Sequence, residues 1–190
     1  MILESEYPLS HASELLGVKP RTLQSWVQFM PSERVEGGGV KGSHRRFSFF
    51  ALIQAATAQK LIALGVSASR AFEYAAEFAN FGGMETGGWV GGPRPAMRNP
   101  SMPFHYALGD TYLCADASQA IVLRVPKGET LDAIVARSDL DGSAYIRLDM
   151  WPIFCGVVRK LSDDYRAPFA LLDDAYGIHS EADLKEQEAR

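Results

Sequence analysis

Cysteine and long apolar runs are both scarce in this chain of 190 residues. The two cysteines, Cys114 and Cys155, are far apart, which leaves no paired-cysteine spacing for a zinc site and no disulfide framework. No stretch reaches the roughly 18 apolar residues of a membrane span, and the N-terminus has no signal-peptide pattern. We therefore expect a soluble, cytoplasmic protein with two buried thiols, no metal site, no cofactor and no membrane contact.

An overall excess of positive charge is also missing, because the net charge is −4 and the pI is about 5.6. Positive charge is nevertheless concentrated in one segment: residues 19–46 contain six lysines and arginines against two glutamates. Salt screens a surface charge beyond about 10 Å, so this local excess matters more for a phosphate contact than the whole-chain pI does. The composition is therefore compatible with a nucleic-acid contact in residues 19–46.

Glycine and proline are concentrated in residues 80–103, where six glycines and four prolines occur. Such a density disfavours both helix and strand. It predicts a domain at residues 1–80, a linker at 81–103, a second domain at 104–175 and a charged tail at 176–190. The predicted fold class is α+β: a mainly helical first domain with a β-hairpin, then a small α+β domain.

Helical spacing and helix-ending residues organise the first domain. Gly17 is predicted to end the first helix in the left-handed conformation, and Pro20 suits the first position of a second helix over about residues 20–29. Leu23, Trp26 and Val27 recur at helical spacing and form the apolar face of that second helix. Two further helices are predicted, one over about residues 49–64 and one that starts near residue 67.

Polar and basic side chains occupy the other face of the second helix. A glycine-rich hairpin is predicted beside it, over about residues 34–47, with Phe47 anchored in the core. Such side chains donate and accept hydrogen bonds at base edges and bind phosphates. The candidate DNA contacts are Arg21, Gln24, Ser25 and Gln28 in the helix, and Lys41, His44, Arg45 and Arg46 in the hairpin.

Three sequence phrases follow one another in a characteristic order. They are Leu16-Gly17-Val18-Lys19-Pro20-Arg21-Thr22-Leu23, Arg45-Arg46-Phe47-Ser48 and Leu64-Gly65-Val66-Ser67. In this combination, residues 6–80 resemble the winged-helix domain of MerR-type transcription regulators. The resemblance implies a sequence-specific transcriptional regulator that binds palindromic double-stranded DNA as a homodimer. It implies a recognition helix in the major groove that Arg21 and Thr22 open, with Lys19 directly before it, and all three residues are expected to contact DNA. It also implies a wing with Arg45 and Arg46 on the phosphate backbone.

The sequence departs from that family at several positions, which leaves two alternatives open. Gln24 and Ser25 stand where the family commonly has an arginine and an aromatic residue, and Gly82-Gly83 cuts short the long dimerisation helix. The phrase from Gly42 to Phe47 also resembles excisionase-like architectural DNA-binding proteins. The other alternative is a protein-interaction adaptor with a helix-turn-helix-like domain that no longer binds DNA.

The second domain shows no catalytic pattern in its sequence. His105 and His179 have no nucleophile nearby in the chain, and residues 139–143 favour a turn over a calcium loop, because no closing glutamate follows. We therefore expect no enzyme. A helix after Asp149 presents an apolar face that either forms a dimer or partner contact or completes the domain core. Its residues are Met150, Phe154, Val157, Val158 and Leu161.

Overall fold

Seven α-helices and three small antiparallel sheets make up the part of the chain that the computed structural model describes, residues 2–37, 45–84, 97–183 and 185. This is the mixed α+β class that the sequence predicts. Of the helices in these residues, none combines the length and the hydropathy needed to cross a bilayer.

The helices and strands are numbered in chain order. The helices are α1 (Leu9–Leu16), α2 (Pro20–Trp26), α3 (Phe49–Ala63), α4 (Ala68–Ala79), α5 (Leu131–Val135), α6 (Met150–Leu161) and α7 (Ala167–Tyr176). The strands are β1 (Glu6–Pro8), β2 (Val35–Glu36), β3 (Arg46–Ser48), β4 (Gly83–Met84), β5 (Met97–Arg98), β6 (Asp110–Ala115), β7 (Ala120–Val125) and β8 (Ile146–Asp149).

The turn between α1 and α2 has the geometry that its sequence predicts. Gly17 has a φ of +66°, and its N–H donates to the Glu14 carbonyl at 3.1 Å. The N–H of Val18 reaches back to the Ser13 carbonyl at 3.0 Å, which closes the end of α1. Pro20 is the first residue of α2, as predicted, and the chain continues past Trp26 as one turn of 3-10 helix over Val27–Phe29.

The first sheet contains β2 and β3, the two strands of the predicted hairpin. Its strand order is β1-β3-β2, and Phe47 of β3 lies opposite both Tyr7 of β1 and Val35 of β2. Phe47 is fully buried, which confirms its role as an anchor. The remaining strand, β1, was not predicted, because it has only three residues and one of them is Pro8.

The three-stranded sheet in the second half of the chain has the order β7-β6-β8. The apolar runs at residues 120–125 and 145–148 predict its two outer strands, and Thr130 and Asp149 are predicted to cap the helices beside them. The Thr130 hydroxyl accepts from the N–H of Ala133 at the start of α5, and the Asp149 carboxylate accepts from the N–H of Trp151 in α6, which confirms both caps. The central strand β6 and the helix α7 were missed. The sequence of β6, residues 110–115, does not alternate regularly between polar and apolar residues, so it does not predict a strand.

A single core joins the two predicted domains. Phe49 of α3 and Phe154 of α6 meet edge to face with ring centroids 6.4 Å apart. Leu113 of β6 belongs to the same buried cluster as the residues of α1 to α4. The glycine-rich segment predicts a boundary between two domains. In the structure, the helices of the first half share one core with the sheet of β6, β7 and β8.

The apolar face of α6 completes this core and does not lie on the surface. Met150, Phe154, Val157 and Val158 are all buried within the chain, and Leu161 is half-buried. The expectation of a dimer or partner contact through this face is thus wrong for the four buried residues. The alternative expectation, a core role, is confirmed for them.

The described end of the predicted linker is also packed, not free. Arg98 is buried, and its guanidinium donates to five backbone carbonyls, three of which (Glu77, Phe78 and Phe81) lie at the end of α4 or just after it. Ser101 is buried and donates its hydroxyl to the Ala79 carbonyl at 2.9 Å. Burial lowers the pKa of Arg98 to about 10, so the side chain is a cation at neutral pH with all its donors in place.

Candidate nucleic-acid interface

Helix α2 is anchored by one face and presents the other to solvent. Leu23 and Trp26 are buried, and the Trp26 ring packs at 5.5 Å from Phe72 of α4, tilted by 58°. This anchor fixes the rotation of α2 about its axis. As a result, the predicted contact residues face outwards: Lys19, Arg21, Gln24, Ser25 and Gln28 are exposed, and Thr22 is half-buried.

Two of the exposed side chains, Ser25 on α2 and Gln28 on the 3-10 turn after it, are bonded to backbone carbonyls of α2. The Ser25 hydroxyl donates to the Thr22 carbonyl at 2.7 Å, and the Gln28 amide donates to the Ser25 carbonyl at 2.9 Å. Within the described residues, the side chains of Arg21 and Gln24 form no hydrogen bond. Arg21 and Gln24 are therefore the side chains best placed to contact a ligand without first giving up a bond.

Arg45 joins the hairpin to both helices. Its carbonyl accepts from the N–H of Leu9 at the start of α1 at 3.2 Å. Its guanidinium donates to the Gln24 carbonyl in the last turn of α2, also at 3.2 Å. A cation is favourable there, because the last carbonyls of a helix have no partner within the helix and carry partial negative charge. This bond links the residue directly before β3 to α2.

Arg46 is the first residue of β3 and has acidic neighbours. Its guanidinium is 4.0 Å from the Glu6 carboxylate, and its side chain is 58% exposed. Glu36 sits directly opposite Arg46 in the β2–β3 pairing. An exposed pair of this kind contributes less than about 1 kcal/mol, so Arg46 is free to change partners.

Arg34 at the base of the hairpin was not among the predicted contacts. Its guanidinium carbon lies 4.2 Å from the centroid of the Phe50 ring, and the side chain is half-buried. It is a third arginine of the hairpin segment and stands directly before β2. Two further predicted contacts, Lys41 and His44, lie outside the described residues.

Two side chains of the second half that could in principle react, His105 and Cys114, are both buried. His105 is buried; its Nε2 is 3.0 Å from Asp173 Oδ1, and its Nδ1 accepts from the N–H of Ala107 at 3.2 Å. Both ring nitrogens of His105 are therefore bonded within the chain. Burial raises the pKa of Cys114 to about 11, so that thiol is protonated at neutral pH and is a poor nucleophile.

Neither a metal cluster nor a match to a known protein guides the interpretation further. Within residues 2–37, 45–84, 97–183 and 185, no three His, Cys, Asp or Glu side chains are grouped so that they could hold a metal ion. Comparison of the chain with protein-family models, curated proteins and solved structures finds no match. The function has to be inferred from the geometry of the chain itself.

Proposed function

We propose that this protein is a sequence-specific DNA-binding transcription regulator whose first 80 residues act as a MerR-type winged helix-turn-helix. In this proposal, α2 and its 3-10 extension, residues 20–29, enter the major groove. The hairpin, residues 34–47, follows the phosphate backbone. The observation that carries the proposal is the exposed polar face of α2, joined to the hairpin through the bond from Arg45 to the Gln24 carbonyl.

The chemistry of this face suits a duplex. A major groove about 12 Å wide admits an α-helix, where arginine pairs with guanine and glutamine with adenine. Arg21 and Gln24 are the side chains for that readout, because both are exposed and unbonded in the described residues. Lys19, Arg45 and Arg46 are suited to phosphates, which fix the position of the protein without reading sequence.

The proposal includes a homodimer on a palindromic operator. Two-fold binding to successive major grooves requires the two α2 helices to be about 34 Å apart, or a multiple of that distance. Because the apolar face of α6 is buried within the chain, the two-fold contact has to use another surface. Sedimentation of the protein with and without an operator duplex would measure the stoichiometry.

The test begins with selection of duplexes from a random pool, followed by fluorescence anisotropy with the wild type and single variants. Arg21→Ala should weaken binding to the selected site by about 5- to 150-fold and relax its sequence preference. Arg45→Ala should weaken all duplexes alike and lower the salt slope by about 0.9. Arg137→Ala is the matched control, because this exposed arginine pairs with Glu129 on the second half of the chain.

Two outcomes would reject the DNA-binding function. One is the absence of binding at low salt, and the other is wild-type binding by both Arg21→Ala and Arg45→Ala. The acidic neighbours of Arg46, Glu6 and Glu36, favour a second candidate in that case: a protein-interaction adaptor that uses the same face. The adaptor would retain its partner in a pull-down while failing to bind any duplex.

A further inference from the structure

A cavity of about 120 Å³ opens where β6 begins, against α6 and α7. It is separate from the face that we assign to DNA. Three aromatic rings form much of its wall. The residues that line it are Tyr106, Trp151, Phe169, Pro103, Phe104, Gly109, Asp110 and Thr111.

The three rings are inclined to one another. Tyr106 and Phe169 lie 5.3 Å apart at 77°, and Trp151 and Phe169 lie 5.1 Å apart at 61°. Tyr106 and Trp151 are 6.3 Å apart at 56°. Tyr106, Trp151 and Phe169 therefore give the cavity an aromatic wall, and aromatic walls are what hold quaternary ammonium groups in proteins.

The cavity is also negatively charged. Asp110 lines it and forms no ion pair in the described part of the chain. Burial raises the pKa of the Asp149 carboxyl, and the nearby charge of Asp110 raises it further. None of the eight lining residues is a lysine or arginine. A positive ligand would relieve this repulsion.

Two features hold the wall in place before any ligand arrives. The Tyr106 hydroxyl donates to Asp173 at 2.8 Å, and the same carboxylate oxygen is bonded to His105. Gly109 has a φ of +130°, and a Cβ there would lie 2.2 Å from the Val125 carbonyl oxygen. Only glycine therefore allows this loop to pack so closely and to carry Asp110 to the cavity.

We propose that this cavity binds the quaternary ammonium group of a small organic cation. Apolar cavities of about 150 Å³ hold benzene, so a cavity of about 120 Å³ suits a trimethylammonium group. The rings supply cation–π attraction and Asp110 supplies the counter-charge. The inference does not depend on DNA binding.

The test compares two probes of the same shape, choline and 3,3-dimethylbutan-1-ol, which differ in charge. The Trp151 indole N–H is followed by NMR in the full-length protein during each titration. Choline should shift this signal saturably, with an affinity on the order of tenfold higher than that of the neutral alcohol. This measurement needs no duplex, so its failure would leave the proposed DNA-binding function untouched.

Variants assign the preference to the cavity. Asp110→Asn keeps the size of the side chain and should reduce the preference for choline to less than about threefold. Asp163→Asn, at an exposed aspartate on the turn after α6, is the control and should leave the preference unchanged. Phe169→Leu should weaken choline binding several-fold. If this variant unfolds, the comparison of Asp110→Asn with Asp163→Asn still tests whether the preference arises in the cavity.

Three results would overturn the proposal. The first is equal affinity for choline and the neutral alcohol, and the second is an unchanged preference in Asp110→Asn. The third concerns the source of the cation. If a peptide carrying trimethyl-lysine binds more than about tenfold tighter than choline, the ligand is a methylated protein and not a small molecule.

Discussion

Replacement of Glu6 by glutamine should strengthen DNA binding, and this gain is a stringent test of the proposed face. Glu6 holds Arg46 at 4.0 Å across the first sheet, in an ion pair whose members are 58% and 37% exposed. A duplex would have to compete with this carboxylate for the guanidinium. Glu6→Gln removes the competitor while it keeps the side chain's size.

The magnitude follows from the exposure of the pair. Two unit charges 4 Å apart attract by about 1 kcal/mol in water, and exposed pairs measure about 0.2–1 kcal/mol once side-chain ordering is included. The release of Arg46 should therefore raise the affinity for a duplex by about 1.4- to 5-fold. The gain should shrink as salt is added, because the Debye length falls from about 10 Å at 0.1 M to about 3 Å at 1 M.

The assay is fluorescence anisotropy with one selected duplex across a series of salt concentrations. Glu73→Gln is the matched control, because Glu73 also forms an exposed ion pair, with Arg70 at 3.7 Å, but on α4. The gain should also disappear when Glu6→Gln is made in the Arg46→Ala background. Neither glutamine variant should change the free energy of unfolding by more than about 1 kcal/mol.

Two results would refute this reasoning. If Glu6→Gln and Glu73→Gln raise the affinity equally, the effect is one of net charge and not of the hairpin. If Glu6→Gln strengthens binding as much without Arg46 as with it, the ion pair is not what limits the contact.

Three further predictions concern stability, each measured by urea unfolding. Arg98→Met should lower the free energy of unfolding by about 3–5 kcal/mol, because it leaves buried carbonyls at the end of α4 without a donor. Gly17→Ala should lower it by about 1–2 kcal/mol, because φ is +66° there although a Cβ would meet no other atom. Asp116→Asn should make the free energy of unfolding fall less steeply as the pH is lowered. The pKa of Asp116 is held well below its usual range by N–H donors from Asp141 and Ser118, so its contribution is present above about pH 4 and is lost as the pH falls.

Each of these three predictions has an outcome that contradicts it. For Arg98, a loss below about 1 kcal/mol would mean that water replaces the guanidinium, and Arg98→Lys should fall between the methionine variant and the wild type. For Gly17, an alanine variant as stable as the wild type would mean that the turn adopts another conformation. For Asp116, an unchanged slope of stability against pH in the asparagine variant would show that other carboxylates govern acid unfolding.

Features that depend on a few neighbouring residues were predictable from the chain. Gly17 and Pro20 fix the turn between α1 and α2, because one tolerates positive φ and the other is pre-set for the first helical position. Thr130 and Asp149 cap α5 and α6 for a similarly local reason. The burial of Leu23 and Trp26, and hence the exposure of Arg21, follows from helical period alone.

The residues of the candidate site could be proposed from the sequence, but their hydrogen-bond and ion-pair partners could not. The sequence predicts that Gln24 and Arg45 lie on one surface. It does not predict the hydrogen bond between them, because the two residues are 21 positions apart in the chain. The ion pair that engages Arg46 arises because β1 adds to the sheet, and this strand is too short to show a period. Sequence spacing contains no information about which strand lies beside another.

Backbone propensity and periodicity are local properties, so the sequence alone predicts several helix starts and ends, the apolar faces and the basic segment. What those apolar faces cover depends on the tertiary structure. It placed Phe154 of α6 against Phe49 of α3, and it turned Arg98 from a linker residue into the buried donor that closes α4. It also brought Trp151 and Phe169 around one cavity with Asp110. These contacts join residues far apart in the chain, and their stability comes from packing and burial, to which local propensity gives no guide.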